Sequence, residues 1–194
     1  MGGIRFKWLA LAAAVATFVA TAEAGAADLR YIEVDRDDDH YTLRSVTWFE
    51  AKPGALYGVL TDYDQFQRFT SAIVESKNLE PDDEGRPEYY TRMEGCVLFW
   101  CRSFVRIGYL KLEPMSEIMA VADPERSDFE RSTERWQLRP EDGGTLLIYE
   151  FEMTPAFWVP PVIGPYYIKR ALMSGGSRAV ERIEALAQGR QPPP

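Results

Sequence analysis

Histidine and cysteine are nearly missing from this 194-residue chain, which has one His (His40) and two Cys (Cys96 and Cys101). A Ser-His-Asp or Cys-His catalyst needs an imidazole held in a cleft by a third group. His40 instead ends the polar stretch Asp35-Arg36-Asp37-Asp38-Asp39-His40 between two apolar runs, which reads as a hairpin tip with neither burial nor a nearby nucleophile. Those mechanisms are set aside. One His and two Cys also fall short of the usual tetrahedral zinc set. Asp35, Asp37 and Asp39 have the spacing that opens a calcium loop, but His40 stands where the turn glycine belongs and Val46 where the bidentate glutamate should be. No metal and no cofactor is expected.

Positive charge is in deficit too: 22 Lys plus Arg face 30 Asp plus Glu, a net charge of −8. Without a basic surplus there is no counterion-release term for a polyanion, so DNA and RNA are excluded as expected partners. Long hydrophobic runs are lacking as well. The longest, Trp8 to Ala20, is well short of the roughly 20 residues that span a bilayer. Preceded by Arg5 and Lys7 and followed by Ala20-Thr21-Ala22, Ala22-Glu23-Ala24 and Ala24-Gly25-Ala26, it reads as a secretory signal peptide over residues 1–24. The expected location is periplasmic or secreted. The remaining 170 residues suffice for one domain with a single core.

Aromatic residues, by contrast, are abundant at 13%, and such side chains must be buried against one another or around a ligand. Strands are read at Leu29 to Val34 and Tyr41 to Phe49. Pro53 then opens a short helix carrying Leu56, Val59 and Leu60, and Tyr63, Phe66 and Phe69 share one face of a second short helix. Six strands follow near 72–79, 87–96, 101–113, 117–123, 130–139 and 145–154, separated by polar turns. In the last, Leu147, Tyr149, Phe151 and Met153 alternate with Ile148, Glu150 and Glu152, so one face is to be covered. Ile168, Leu172, Ala179, Ile183 and Leu186 give Tyr166 to Ala187 a helical stripe of more than five turns. Gly175-Gly176 in its middle costs about 2 kcal/mol in propensity relative to two alanines, so the helix must bend there or be closely approached.

In one straight strand the Cα atoms of Cys96 and Cys101 would lie about 16 Å apart, so a disulfide requires the chain to reverse at Val97-Leu98-Phe99-Trp100. Export to an oxidising compartment favours that over two separately buried thiols. Arg131, Glu134, Arg135, Glu150 and Glu152 read as solvated strand faces, while alternation leaves open which face Arg92, Glu94 and Arg106 take.

The order of strands, two short helices, six strands and a long C-terminal helix, with Leu56-Tyr57-Gly58-Val59-Leu60-Thr61-Asp62-Tyr63-Asp64, Ser127-Asp128-Phe129, Gly143-Gly144-Thr145 and Pro155-Ala156-Phe157-Trp158-Val159-Pro160-Pro161, resembles the START-like (SRPBCC) superfamily. That superfamily includes coenzyme Q-binding proteins and the polyketide cyclase/dehydrase group. The resemblance covers about Tyr41 to Leu186. It implies an α+β helix-grip fold: a curled antiparallel sheet around the C-terminal helix, with a ligand cavity between them. Residues 25–40 become an N-terminal hairpin extension, 41–188 the ligand-binding domain and 189–194 a disordered tail.

The function expected is an exported binding or carrier protein for an apolar or amphipathic small molecule, such as a lipid, isoprenoid or polyketide-like compound, with transient membrane contact. The alternative is a cyclase- or hydratase-type enzyme acting on such a ligand, and a third reading is a protein-interaction module using the apolar tips. In the helix-grip geometry Trp136, Tyr149, Phe151 and Met153 would form one wall of the pocket, and Met173 and Gly176 the other. Phe66, Phe69, Phe157 and Trp158 would surround its mouth.

Overall fold

The computed structural model describes residues 27–97, 100–161 and 163–193. Residues 1–24, read above as a signal peptide, and the centre of the apolar turn, Leu98-Phe99, lie outside them. The elements run β1 (Asp28–Asp37), β2 (His40–Phe49), α1 (Pro53–Thr61), a 3-10 helix (Tyr63–Arg68), β3 (Ile73–Leu79), β4 (Glu88–Val97), β5 (Trp100–Glu113), β6 (Glu117–Ala122), β7 (Phe129–Glu141), β8 (Gly144–Pro155) and α2 (Gly164–Ala187). The fold is α+β. All eight strands form one antiparallel sheet in the order β1-β2-β8-β7-β6-β5-β4-β3. Among the described strands only β2 to β8 is a long-range step, which brings the N-terminal strand pair beside the last strand. β1, the strand of the N-terminal extension, is the outer edge of this same sheet.

Period-two alternation decides the inner face. On β2, Tyr41, Leu43, Ser45, Thr47 and Phe49 are buried, and they stand opposite Met153, Phe151, Tyr149, Leu147 and Thr145 of β8. The inner residues form two apolar clusters. The larger gathers Phe49, Leu56, Leu60, Tyr63, Phe66, Tyr89, Ile118, Trp136, Leu138 and Leu147 with Ile183 of α2. The smaller holds Val34, Leu43 and Phe151, with Ile32, Met153 and Leu172 against it.

Pro53 opens α1, where a missing N–H costs nothing, and Leu56 and Leu60, four residues apart, put one side of it into the larger cluster. Helix α2 is anchored unevenly. Its C-terminal half buries Ile183, Glu184 and Ala185, whereas in its N-terminal half only Gly164 is buried. The Glu184 carboxylate accepts the backbone N–H groups of Glu50 and Ala51 at 3.1 and 3.2 Å and so ties α2 to the end of β2. Burial raises its pKa, and those two hydrogen bonds act in the opposite direction. The glycine pair does not break the helix: a Cβ on Gly175 would meet open space, and one on Gly176 would lie 3.0 Å from Ile32 Cδ1. Close approach of β1 is what Gly176 allows. Gly108 is tighter still, since a Cβ there would lie 2.0 Å from the Val121 carbonyl oxygen of the adjacent strand.

Cys96 and Cys101 pair directly across β4 and β5 and form a disulfide, with Cα atoms 4.0 Å apart. Both are exposed.

Candidate functional site

The predicted site residues are divided among four places. Phe66, Phe69, Trp136 and Tyr149 lie in the larger cluster as a chain of rings: Phe66 is 4.6 Å from Phe69 and edge-on to Trp136 at 6.3 Å, and Trp136 stacks on Tyr149 at 5.3 Å. Phe151 and Met153 belong to the smaller cluster, under Leu172 of α2. Phe157 lies on the far end of the sheet, stacked on Phe104 at 4.4 Å with the Arg102 guanidinium above it. Trp158 and Met173 are exposed, and Gly176 abuts β1.

A buried charged pair sits where the two clusters meet. On β7, Ser132, Glu134, Trp136 and Leu138 point the same way, and on β5 so do Phe104, Arg106, Gly108 and Leu110. The Arg106 guanidinium donates to the Glu134 carboxylate at 2.8 Å, with side chains only 5% and 13% exposed. Glu134 therefore lies on the inner face and not on the solvated face that the charges along its strand suggest. It shares the inner face with Trp136, two residues away. Arg131, Arg135, Glu150 and Glu152 do lie on the outer face, where Arg131 pairs with Glu152 and Arg135 with Glu117. Arg106 spans both clusters, with Tyr89 at 5.4 Å and Phe151 at 5.8 Å from its guanidinium carbon.

Hydroxyl groups surround this pair. Tyr63 and Tyr89, with ring centres 4.7 Å apart, are completely buried, and Tyr149 reaches the same charges from β8. Four buried polar groups have no hydrogen-bond partner among the described residues: the Tyr63 and Tyr89 hydroxyls, Arg106 Nε and Ser132 Oγ. A buried polar group left without a partner costs about 1–3 kcal/mol, and these four lie on the same inner face as the charged pair. Burial pushes the Tyr63 and Tyr149 hydroxyls well above the ordinary tyrosine range, and the Glu134 charge pushes them further. Tyr89 is raised by burial, against the effect of Arg106. Burial acts to lower Arg106, but Glu134 and Tyr89 outweigh it and hold the guanidinium firmly protonated. The site is one fixed cation paired with one carboxylate, ringed by neutral hydroxyl donors in a mostly apolar wall.

No imidazole or thiol belongs to it. His40 Nδ1 is 3.0 Å from Thr154 Oγ1, with Nε2 3.6 Å from Glu152 on the outer face. Among the described residues, no three His, Cys, Asp or Glu side chains are grouped to hold a metal ion. Two concavities of the surface lie apart from the pair. One of about 530 Å³ is lined by Arg86, Glu88, Tyr109 and Arg126, and a groove of about 270 Å³ runs between Val59, Arg68, Phe69 and Leu186.

A curled antiparallel sheet gripping a C-terminal helix, with polar groups buried beneath it, defines a START-like helix-grip protein. Residues 49–165 match the family of polyketide cyclase / dehydrase and lipid transport proteins, and the chain belongs to that family. Solved structures agree on the fold. Human STARD10 is 11% identical with a TM-score of 0.61, covering 84% of this chain and 75% of its own. A STAR-related lipid transfer protein from Xanthomonas axonopodis is 15% identical with a TM-score of 0.55, covering 78% and 98%. The Zhui aromatase/cyclase from Streptomyces sp. R1128 is 13% identical with a TM-score of 0.52, covering 77% and 92%. A search of the curated proteins returns no match.

Proposed function

We propose that this chain is an exported carrier for an amphipathic small molecule of the lipid, isoprenoid or polyketide class, held between the sheet and α2. The observation that carries this reading is the Arg106–Glu134 pair with its unpartnered hydroxyls, set between two apolar clusters on the face that α2 covers. Such an arrangement suits a molecule with an apolar body and one oxygen-rich end. The body would pack against Trp136, Phe151 and Met153, and the polar end would accept hydrogen bonds from Arg106 Nε, Tyr63 and Tyr89. Supplying acceptors to donors that are already desolvated adds more affinity than the same bonds would in water.

Export is supported by the basic residues and short apolar run at the start of the sequence and by the Cys96–Cys101 disulfide. Native mass spectrometry and lipid extraction of the protein purified from its own cells test the proposal. We expect a stoichiometric amphipathic ligand; protein that is reproducibly empty, and that binds nothing in an apolar library, would refute it.

One observation favours a second reading, a cyclase- or hydratase-type enzyme: an ionisable carboxylate, Glu134, and a raised phenol, Tyr149, are held together in the same apolar surroundings. Turnover of a bound polyketide-like ligand, lost in Glu134→Gln while binding persists, would establish it over the carrier.

A further inference from the structure

The N-terminal half of α2 and the loop before it leave an apolar surface uncovered. Trp158 is 70% exposed, Tyr166 62%, Ile163 41% and Met173 38%. Ile163, Tyr166, Arg170, Met173 and Ser177 follow one another at spacings of three and four, so they form one stripe along the helix, and all five are exposed. Val159 and Pro160, which directly follow Trp158, pack on the start of α2: a Cβ on Gly164 would lie 2.4 Å from Val159 Cγ1 and 3.2 Å from Pro160 Cδ. The opposite side of the helix carries Leu172 against the smaller cluster, so the stripe faces away from the core.

Charge on this surface runs against the rest of the molecule. From Met153 to Val180 the sequence contains Lys169, Arg170 and Arg178 and no acidic residue, in a chain of net charge −8. Among the described residues, none of the three is within ion-pair distance of a carboxylate. Basic side chains beside exposed Trp, Tyr, Ile and Met match an anionic lipid surface, where the aromatic and aliphatic groups enter the headgroup layer and the cations meet phosphate. No helix among the described residues is long and apolar enough to cross a membrane, so the contact is peripheral.

We infer that the stripe Ile163-Tyr166-Met173, with Trp158 and the flanking Lys169 and Arg170, is a docking surface for an anionic membrane. Its purpose, as loading or unloading of the ligand, rests on the carrier reading above. The test is co-sedimentation of the full chain with vesicles of phosphatidylcholine alone or with 30% phosphatidylglycerol, at low and high salt. Wild-type protein should bind the anionic vesicles more tightly than the neutral ones and be released by salt. Lys169→Glu/Arg170→Glu should weaken anionic binding by at least about thirtyfold, since two cations are lost and two anions added, and Ile163→Ser/Tyr166→Ser should weaken binding to both kinds of vesicle. Circular dichroism of each variant should match the wild type.

Equal binding of wild type and both variants, which share the same N-terminal segment, would overturn the assignment. So would wild-type binding that ignores phosphatidylglycerol and salt, or a stripe that captures an acidic protein but no vesicle. Vesicle binding of this pattern by protein that carries no ligand would uphold the docking surface and refute the carrier reading alone.

Discussion

Replacing Glu134 with leucine strands a guanidinium inside the protein. Arg106 is 5% exposed and, among the described residues, its one short ionic contact, at 2.8 Å, is with Glu134. Breaking a buried pair by removing one partner costs about 3–5 kcal/mol, because the surviving charge keeps its desolvation penalty and loses its compensation. Arg106→Met should also destabilise, because it leaves the buried Glu134 carboxylate without its partner. The double variant Arg106→Met/Glu134→Leu removes both charges, and its new side chains can pack against Tyr89, Phe151 and Trp136. It should lie within ~1 kcal/mol of the wild type or above it. The cycle therefore predicts a coupling energy of several kcal/mol, read by urea denaturation with tryptophan fluorescence. Near-additive effects, or a Glu134→Leu protein destabilised by under ~1 kcal/mol, would show that the pair is not desolvated and would remove the basis for treating it as a binding centre.

Three further outcomes are expected. Tyr63 and Tyr89 are completely buried with raised pKa values, so in the folded state both stay neutral above pH 10 while the unfolded chain ionises. Their contribution is intact below pH 10 and is lost as pH rises toward the folded values, at about 1.4 kcal/mol per unit for each; Tyr63→Phe/Tyr89→Phe should flatten alkaline unfolding followed by tyrosinate absorbance. Cys96→Ala should leave the fold intact and lower stability toward the low end of ~2–4 kcal/mol, because the closed loop is short, and non-reducing peptide mapping of the wild type should find Cys96 linked to Cys101. Gly176→Leu should destabilise by about 1–3 kcal/mol, with the new side chain forced against Ile32 of β1, and a variant as stable as the wild type in thermal melts would contradict this packing.

The fold was legible because its signals are local and periodic. Strand alternation, Pro53 at a helix start and the stripe Ile168-Leu172-Ala179-Ile183-Leu186 each specify an element without reference to the rest, and the ends of the elements fall within a few residues of expectation. The Cys96–Cys101 pairing was legible from their spacing, which permits a disulfide once the chain reverses between them. The site was less legible. Glu134 lies two residues before Trp136, which was already expected to face inward, so period two alone puts the carboxylate on the inner face. The surrounding Arg131, Glu130 and Arg135 hid that by making the strand look uniformly wet. Arg106 could not be oriented from its own strand. Its direction is set by the pairing of Gly108 with Ala122, a long-range fact fixed by the packing of β5 on β6. Trp158 and Phe157 are adjacent in sequence but point to different surroundings, since Phe157 is captured by Phe104 and Arg102 while Trp158 has no such partner among the described residues.

The central claim is that buried polar groups on the inner face hold the head of an amphipathic ligand. It is tested most directly by comparing, in native mass spectra, the wild type and Arg106→Met/Glu134→Leu purified from the same cells, with their folds matched by circular dichroism and urea midpoint. The account predicts a stoichiometric ligand on the wild type and little or none on an equally folded double variant. Equal occupancy of the two proteins would contradict it.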